Sequence, residues 1–160
     1  MYVIGVDPGP VPGVVRLRLI GTGAASEPNR VIGAEALQVT PGLLATVLDG
    51  IAADGLGIAV ALERFVVGRR AARSSTAAAG AITRDMVGAV EAWAQMRQVA
   101  VHTRPAAEVK PWAVDKRLHA AGLLDLTAGM RHARDAARHA LFCAVRDYGL
   151  PDPLSRKALL

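Results

Sequence analysis

The sequence contains few aromatic residues and a single cysteine. Phe, Trp and Tyr make up only 4% of its 160 residues, so the core must be packed mainly from Ala, Val, Leu and Ile, and few side chains are suited to stacking on nucleobases. Cys143 has no partner for an internal disulfide. Together with a Met1 that leads directly into a strand-like run without a signal peptide, this predicts a cytoplasmic protein.

Long hydrophobic runs and a second large domain are also missing. The longest apolar stretches, such as Gly57 to Leu62, fall well short of the roughly 18 residues that a membrane span needs. A chain of 160 residues is long enough for one domain with a true core and too short for two large ones. We therefore expect no membrane association, and the large two-domain ATP-using enzymes are excluded.

Charge is distributed unevenly along the chain. Residues 1–63 hold three arginines and six acids, a net charge of −3, whereas residues 64–160 hold sixteen Lys or Arg and eight acids, a net charge of +8. A basic segment of this kind fits an anionic partner such as nucleic acid, and it equally fits a surface that only keeps the protein soluble.

Hydrophobic periodicity predicts an α/β protein. Five segments have strand patterns: Tyr2 to Val6, Val14 to Ile20, Val31 to Val39, Gly57 to Leu62 and Gln98 to Thr103. Three have helical patterns: from a Thr40 cap and Pro41 to near Gly55, from about Ser75 to Met96, and from Met130 to Tyr148. Arg104 to Leu124 is a mixed loop and helix segment.

Two acids end predicted strands. Asp7 follows the first strand and Glu63 follows the fourth. An Asp-Pro-Gly string is also an ordinary turn, and a lone charge at a strand end is usually just solvated. In a sheet of order 3-2-1-4-5, however, the first and fourth strands are parallel neighbours, so the two carboxylates would lie side by side and repel each other unless a cation separates them.

The last predicted helix carries His132, Asp135 and His139 on one face. Each of them alone is typical of a solvated helix surface, and we assign His139 to that class. If the helix packs beside the ends of the first and fourth strands, His132 and Asp135 join Asp7 and Glu63. Phosphodiester hydrolysis needs one oxygen made nucleophilic and another relieved of developing negative charge, and two divalent cations about 4 Å apart in this cluster could do both.

The cluster suggests a role for each residue. Asp7 would bridge the two ions, Glu63 and Asp135 would each hold one, and His132 would bind an ion or accept a proton from the attacking water. A nitrogen ligand suits Mn²⁺ better than the harder Mg²⁺.

The order of the elements and four strings resemble the RuvC family of Holliday junction resolvases, in the ribonuclease H-like superfamily. The strings are VIGVDPGPVPG, ALERF, VKPWAVDK and HARDAARHA. The resemblance covers roughly Met1 to Tyr148. It implies a ribonuclease H-like α/β fold with a five-stranded mixed sheet of order 3-2-1-4-5 flanked by helices. We expect one nuclease domain over 1–150 and a short C-terminal tail over 151–160.

The resemblance also implies an activity. It is that of a homodimeric endonuclease that makes paired nicks in four-way DNA junctions, with two Mg²⁺ or Mn²⁺ ions per active site and no small-molecule cofactor. The catalytic and metal-binding positions of the family fall on Asp7, Glu63, His132 and Asp135. In the family an aromatic residue shortly after the second acid wedges into the DNA junction, and Phe65 would be that residue here. The alternative is that Phe65 packs in the core.

Basic residues are predicted to contact DNA phosphates. Lys110 and Lys116 resemble basic residues of the family, although the spacer between them is shortened here. Arg69, Arg70 and Arg73 follow the second acid and would contact a strand backbone, or they belong to an ordinary exposed loop.

Two other functions stay open. One is a YqgF-like ribonuclease of the same fold, whose characteristic Asp-Glu-Arg string is only partly matched by Leu62-Glu63-Arg64. The other is a non-catalytic DNA-binding module that has kept the fold and lost metal affinity.

Overall fold

The structure is a computed structural model that describes residues 1–21, 30–65 and 77–155, with side chains of the second helix from Gly80 onward. The predicted DNA contacts Arg69, Arg70 and Arg73 lie outside the described residues.

The described residues form one five-stranded sheet flanked by helices. The strands are β1 (Tyr2–Asp7), β2 (Gly13–Ile20), β3 (Arg30–Gln38), β4 (Ile58–Arg64) and β5 (Ala100–Pro105). The α-helices are α1 (Leu44–Ala52), α2 (Ala77–Met96), α3 (Ala106–Val109), α4 (Asp115–Ala120), α5 (Leu123–Leu126) and α6 (Arg131–Asp147). The sheet order is β3-β2-β1-β4-β5, which confirms the predicted topology.

β1 is the central strand. It pairs antiparallel with β2 and parallel with β4, and β4 pairs parallel with β5. Every residue of β1 is buried, as its nearly continuous apolar sequence predicts. In β2, Val15, Leu17 and Leu19 are buried while Arg18 is exposed, so the predicted alternation is confirmed.

The alternation of side chains along the strands separates two cores. One face of the sheet packs on α1 and α2 through residues such as Ile4, Val6 and Leu62. The other face packs on α6 through Val3 and Ala61. Side chains alternate along a strand, so the odd-numbered residues of β1 and β4 that follow Val3 and Ala61 also face α6.

Some boundaries differ from those predicted. Pro41–Leu43 is a 3-10 turn, α1 begins only at Leu44, and Thr40 forms no side-chain cap hydrogen bond. β5 begins at Ala100 because Gln98 lies in the left-handed region, with φ of 56°, and turns the chain between α2 and β5.

Helix α6 lies unusually close to the sheet. A Cβ atom placed on Gly5 would overlap the carbonyl oxygen of Ala136, and one placed on Gly13 would overlap that of His132. These two glycines therefore let the helix backbone contact β1 and β2 directly. The contacting face of α6 is made of alanines, including Ala133, Ala136 and Ala140.

None of the helices in the described ranges is both long enough and apolar enough to cross a membrane.

Candidate active site

The end of β1 brings Asp7 to the face of the sheet that α6 covers. Val6 is in register with Leu62 of β4, so Asp7 and Glu63 follow paired residues on parallel strands whose backbones are about 4.8 Å apart. Both side chains point toward α6 because they continue the alternation that turns Val3 and Ala61 to that face.

Asp7 is held by His132 in a crowded, negatively charged setting. His132 Nδ1 lies 2.8 Å from Asp7 Oδ2. Asp7 is only 8% exposed. Burial, followed by the negative charge of Glu63, raises the pKa of Asp7 to about 6 against the opposing effect of His132, and Asp135 adds to the rise. The carboxylates of Asp7, Glu63 and Asp135 therefore influence one another across one site.

Glu63 has an unexpected neighbour in His139. We expected His139 to be solvated, but it is almost fully buried, and its Nε2 lies 3.2 Å from Glu63 Oε2. The prediction was wrong because α6 crosses the sheet, so the residue two turns beyond His132 reaches the neighbouring strand. Neither atom has a well-oriented hydrogen-bond partner among the described residues. This leaves two buried donor or acceptor atoms facing each other beside Asp7.

Asp135 is neutralised by two cations. Lys110 Nζ lies 3.0 Å from its Oδ2, and Arg138 Nη1 lies 2.5 Å from its Oδ1. Burial acts to raise the pKa of Asp135, but the hydrogen bonds and charges of Lys110 and Arg138 outweigh it and hold this pKa below its usual range. Lys110, predicted as a DNA contact, therefore reaches the acidic cluster itself.

The start of α6 is fixed by a residue that the sequence analysis did not single out. Gln38, at the end of β3, accepts a hydrogen bond from the backbone N–H of His132 through Oε1 at 2.9 Å. This satisfies one of the N–H groups that the first turn of a helix leaves without an intrahelical partner. Gln38 is 94 residues away in sequence, so no local capping motif reveals it.

The other predicted DNA contacts within the described residues are Lys116 and Phe65. Lys116 is exposed on α4. Phe65 is half-buried, and its Cζ lies 3.8 Å from where a Cβ on Gly80 would stand. This places the ring against the start of α2, at the edge of the described residues.

A second group of possible metal ligands lies between β5 and α6. Ligand atoms of His102, Cys143 and Asp147 fall within 4.8 Å of one another, and they form the only such group of three in the described ranges. Arg104 already binds both oxygens of Asp147 at 2.8 Å. Burial, with the hydrogen bond to Asp147, raises the pKa of the Cys143 thiol to about 12. In the described structure this group is an ion-pair cluster, and a metal bound here would have to displace Arg104 from Asp147 and the proton from Cys143.

The donors near the end of β1 suit divalent cations by the kind of their atoms. The carboxylates of Asp7, Glu63 and Asp135 and the imidazoles of His132 and His139 offer oxygen and nitrogen donors of the kind that Mn²⁺ and Mg²⁺ accept. In the described structure these ligand atoms do not gather within 4.8 Å of one another as those of His102, Cys143 and Asp147 do. Glu63 Oε2 is buried without a well-oriented hydrogen bond in the described structure, so it has lone pairs that a bound cation could use. Lys110 and Arg138 supply positive charge at Asp135.

Comparison with solved structures gives the fold a name. No protein-family model and no curated protein matches the amino-acid sequence. Two structures of RuvC from Thermus thermophilus do match by shape. One, in complex with a Holliday junction substrate, has a TM-score of 0.62 over 90% of this chain and 92% of its own. The other has a TM-score of 0.56 over 93% and 98%.

The chain has the RuvC fold. This confirms the fold that the four sequence strings implied. Sequence identity to both structures is 23%, so the likeness is one of architecture, and the activity of this chain must be argued from its own site.

Proposed function

We propose that this protein is a divalent-metal-dependent endonuclease that resolves four-way DNA junctions by paired phosphodiester hydrolysis. The observation that carries the proposal is the contact of α6 with the ends of two neighbouring parallel strands of a RuvC-like sheet, where His132 lies against Asp7 and His139 lies against Glu63. The charge of Asp135 also acts on Asp7. A RuvC structure with this architecture was solved on a Holliday junction substrate, which favours the same substrate class here.

Asp7, Glu63, Asp135 and His132 would hold two Mg²⁺ or Mn²⁺ ions. When bound, the ions supply an activated water and neutralise the charge that develops on the cleaved phosphate. The crowding that raises the pKa of Asp7 supports this assignment, since a cation relieves the repulsion between neighbouring carboxylates.

The protein side chains prepare the site. His132 orients the Asp7 carboxylate through Nδ1, which leaves its Nε2 for a ligand or a proton from water. His139 lies against Glu63 Oε2 and restricts where that carboxylate can turn. Lys110 and Arg138 hold Asp135 in place until metal and DNA compete for it.

We further propose a homodimer that acts on DNA in the cytoplasm. Two active sites related by a two-fold axis match a junction that is itself nearly two-fold, and paired nicks require both. Helix α2 offers a surface for this contact: Gly88 has open space around it, and Met96 is 79% exposed.

The test is cleavage of labelled DNA. Four-way junctions, linear duplex and structured RNA are incubated with the protein in Mg²⁺, Mn²⁺ or chelator. We expect metal-dependent, symmetric nicks in the junction and little cutting of linear duplex. Loss of a residue that only supports a metal ligand typically lowers activity by roughly 10- to 100-fold. Asp7→Asn should lower cleavage by more than this, because Asp7 would bind the metal itself. Junction binding should be unchanged.

Asp125→Asn is the matched control, because Asp125 is exposed on α5, away from the cluster. It should cleave like the wild type. Cleavage of RNA alone would favour the ribonuclease alternative. A junction that is bound and never cut, with either metal, would favour the non-catalytic module and contradict the proposal.

A further inference from the structure

A basic cavity adjoins the acidic cluster. It has a volume of about 550 Å³, and Asp135 forms part of its wall. Its cationic lining consists of Lys110, Arg131, Arg134 and Arg138. The three arginines are spaced by three and four residues on α6, so they share one face of the helix. The volume lies in the range of ligand-binding pockets.

The cations of this cavity are only partly neutralised. Lys110 and Arg138 both bind Asp135, and Arg138 also binds Asp115 at 2.6 Å. Within residues 1–21, 30–65 and 77–155, Arg131 and Arg134 form no ion pair, and Arg134 Nε is buried without a hydrogen-bond partner. A buried donor without an acceptor is unfavourable, and the lining carries four cations against the single carboxylate of Asp135, so the cavity favours an anion.

Phosphate is the anion that suits this lining best. A guanidinium group presents a planar set of N–H donors that matches two phosphate oxygens, and several such groups can share one phosphate. The cavity also lies at the first turns of the 17-residue helix α6, where the backbone N–H groups add partial positive charge.

We infer that this cavity binds a backbone phosphate of the cleaved DNA strand, next to the phosphate that is hydrolysed. The inference rests on the proposed function, because Asp135 belongs both to the cavity wall and to the carboxylate cluster. A phosphate bound here also competes with Asp135 for Lys110 and Arg138, which loosens the two contacts that neutralise this carboxylate.

The experiment measures metal-free binding of a fluorescent four-way junction to the full-length protein in chelator over a series of salt concentrations. Arg134→Gln is compared with Arg146→Gln, which removes the same charge near the other end of α6, outside the cavity. Arg134→Gln should weaken binding about tenfold at low salt. It should also reduce the slope of log K against log salt by about one. Arg146→Gln should change neither value appreciably.

Inorganic phosphate identifies the source of the bound anion. Millimolar phosphate, at constant ionic strength, should weaken junction binding to the wild type by competition. It should not weaken junction binding to Arg134→Gln. If phosphate binds at the cavity while Arg134→Gln leaves junction affinity and salt slope at the Arg146→Gln values, the cavity is a free-anion site and the inference is overturned. If Arg134→Gln changes neither phosphate competition nor junction binding, the inference is overturned as well.

Cleavage of the junction by the wild type is scored separately in Mg²⁺ or Mn²⁺. Binding that depends on Arg134 without any cleavage would contradict the proposed function and support the phosphate site alone. Melting temperatures of both variants establish that each is folded at the temperature of the measurement.

Discussion

Asp7 occupies a position that a purely structural carboxylate would avoid. Within the described part of the chain it is buried, lies near two further acids and forms an ion pair with His132 alone. An ionised group in such a setting reduces the stability of the fold, and groups of this kind concentrate at functional sites. The cost in fold stability of keeping an ionised carboxylate at this position can be measured.

Asp7→Asn should raise the melting temperature of the metal-free protein at pH 7. An acid whose pKa is raised from about 3.9 in the unfolded chain to about 6 in the fold destabilises the fold fully above pH 6 and not at all below about pH 4. Asparagine keeps the shape without the charge. A gain of about 1 kcal/mol corresponds to about 2–4 °C in a chain of this size.

The measurement is thermal unfolding by circular dichroism in chelator at several pH values. The advantage of Asp7→Asn over wild type should shrink as the pH falls from 7 to 4, and Asp125→Asn should show no such trend. A variant that melts below wild type at pH 7 would contradict the burial and crowding described for Asp7.

The sequence indicated four of the clustered residues and missed the ones that hold them. Asp7 and Glu63 follow strands, and His132 and Asp135 share a helix face, so local patterns made all four candidates for one site. His139 contacts Glu63 only because α6 crosses two strands at a particular angle. Gln38 contacts His132 across 94 residues. Neither contact has a periodicity that a single sequence displays.

At the scale of secondary structure, helix α6 determines the arrangement of the candidate site. Its N-terminal turn faces Asp7, its middle faces Glu63, and its last turn reaches β5, where Asp147 binds Arg104. The alanines of α6 and the glycines of β1 and β2 permit this path, because larger side chains would hold the helix farther from the sheet.

Gly13→Ala should destabilise the protein and displace His132. The added methyl group would overlap the His132 carbonyl, which belongs to helix backbone and cannot turn aside. Overpacking of this kind typically costs about 1–3 kcal/mol. Urea unfolding measures the loss, and junction cleavage should fall with it because His132 moves away from Asp7.

Gly42→Ala is the control for this change. Gly42 lies in the 3-10 turn, and a Cβ there has no neighbour within 4 Å. If Gly13→Ala and Gly42→Ala unfold at the same urea concentration, the close approach of α6 to β2 is not a feature of the protein in solution.

The order of strands and helices was the most predictable feature of the whole molecule. Strand periodicity predicted the five strands, and the resemblance of the four sequence strings implied their order in the sheet. The separation between helix and sheet was not predictable, since it depends on which glycines oppose which carbonyls. The ion pairs that join distant elements were also invisible in the sequence, and they govern how the molecule responds to acid.

Acid should weaken the attachment of the end of α6 to the sheet. Burial acts to raise the pKa of Asp147, but hydrogen bonds from Arg104 and Cys143 outweigh it and lower this pKa. An acid with a lowered folded-state pKa stabilises the fold above its unfolded pKa of about 3.9 and loses that contribution as the pH falls.

Asp147→Asn should therefore reduce stability at neutral pH by up to about 1 kcal/mol and show a smaller further loss toward pH 3 than wild type. Urea unfolding at pH 7 and pH 3 gives both values, with Asp125→Asn as the reference. Parallel losses in wild type and Asp147→Asn would contradict the role of the pair with Arg104.

The contact between Asp7 and His132 spans 125 residues, and it has a consequence for synthesis of the chain. During translation the first acid emerges long before the helix that completes its surroundings. In the growing polypeptide these carboxylates are therefore far apart. The nuclease we propose can assemble its site only after nearly all of its described sequence has left the ribosome.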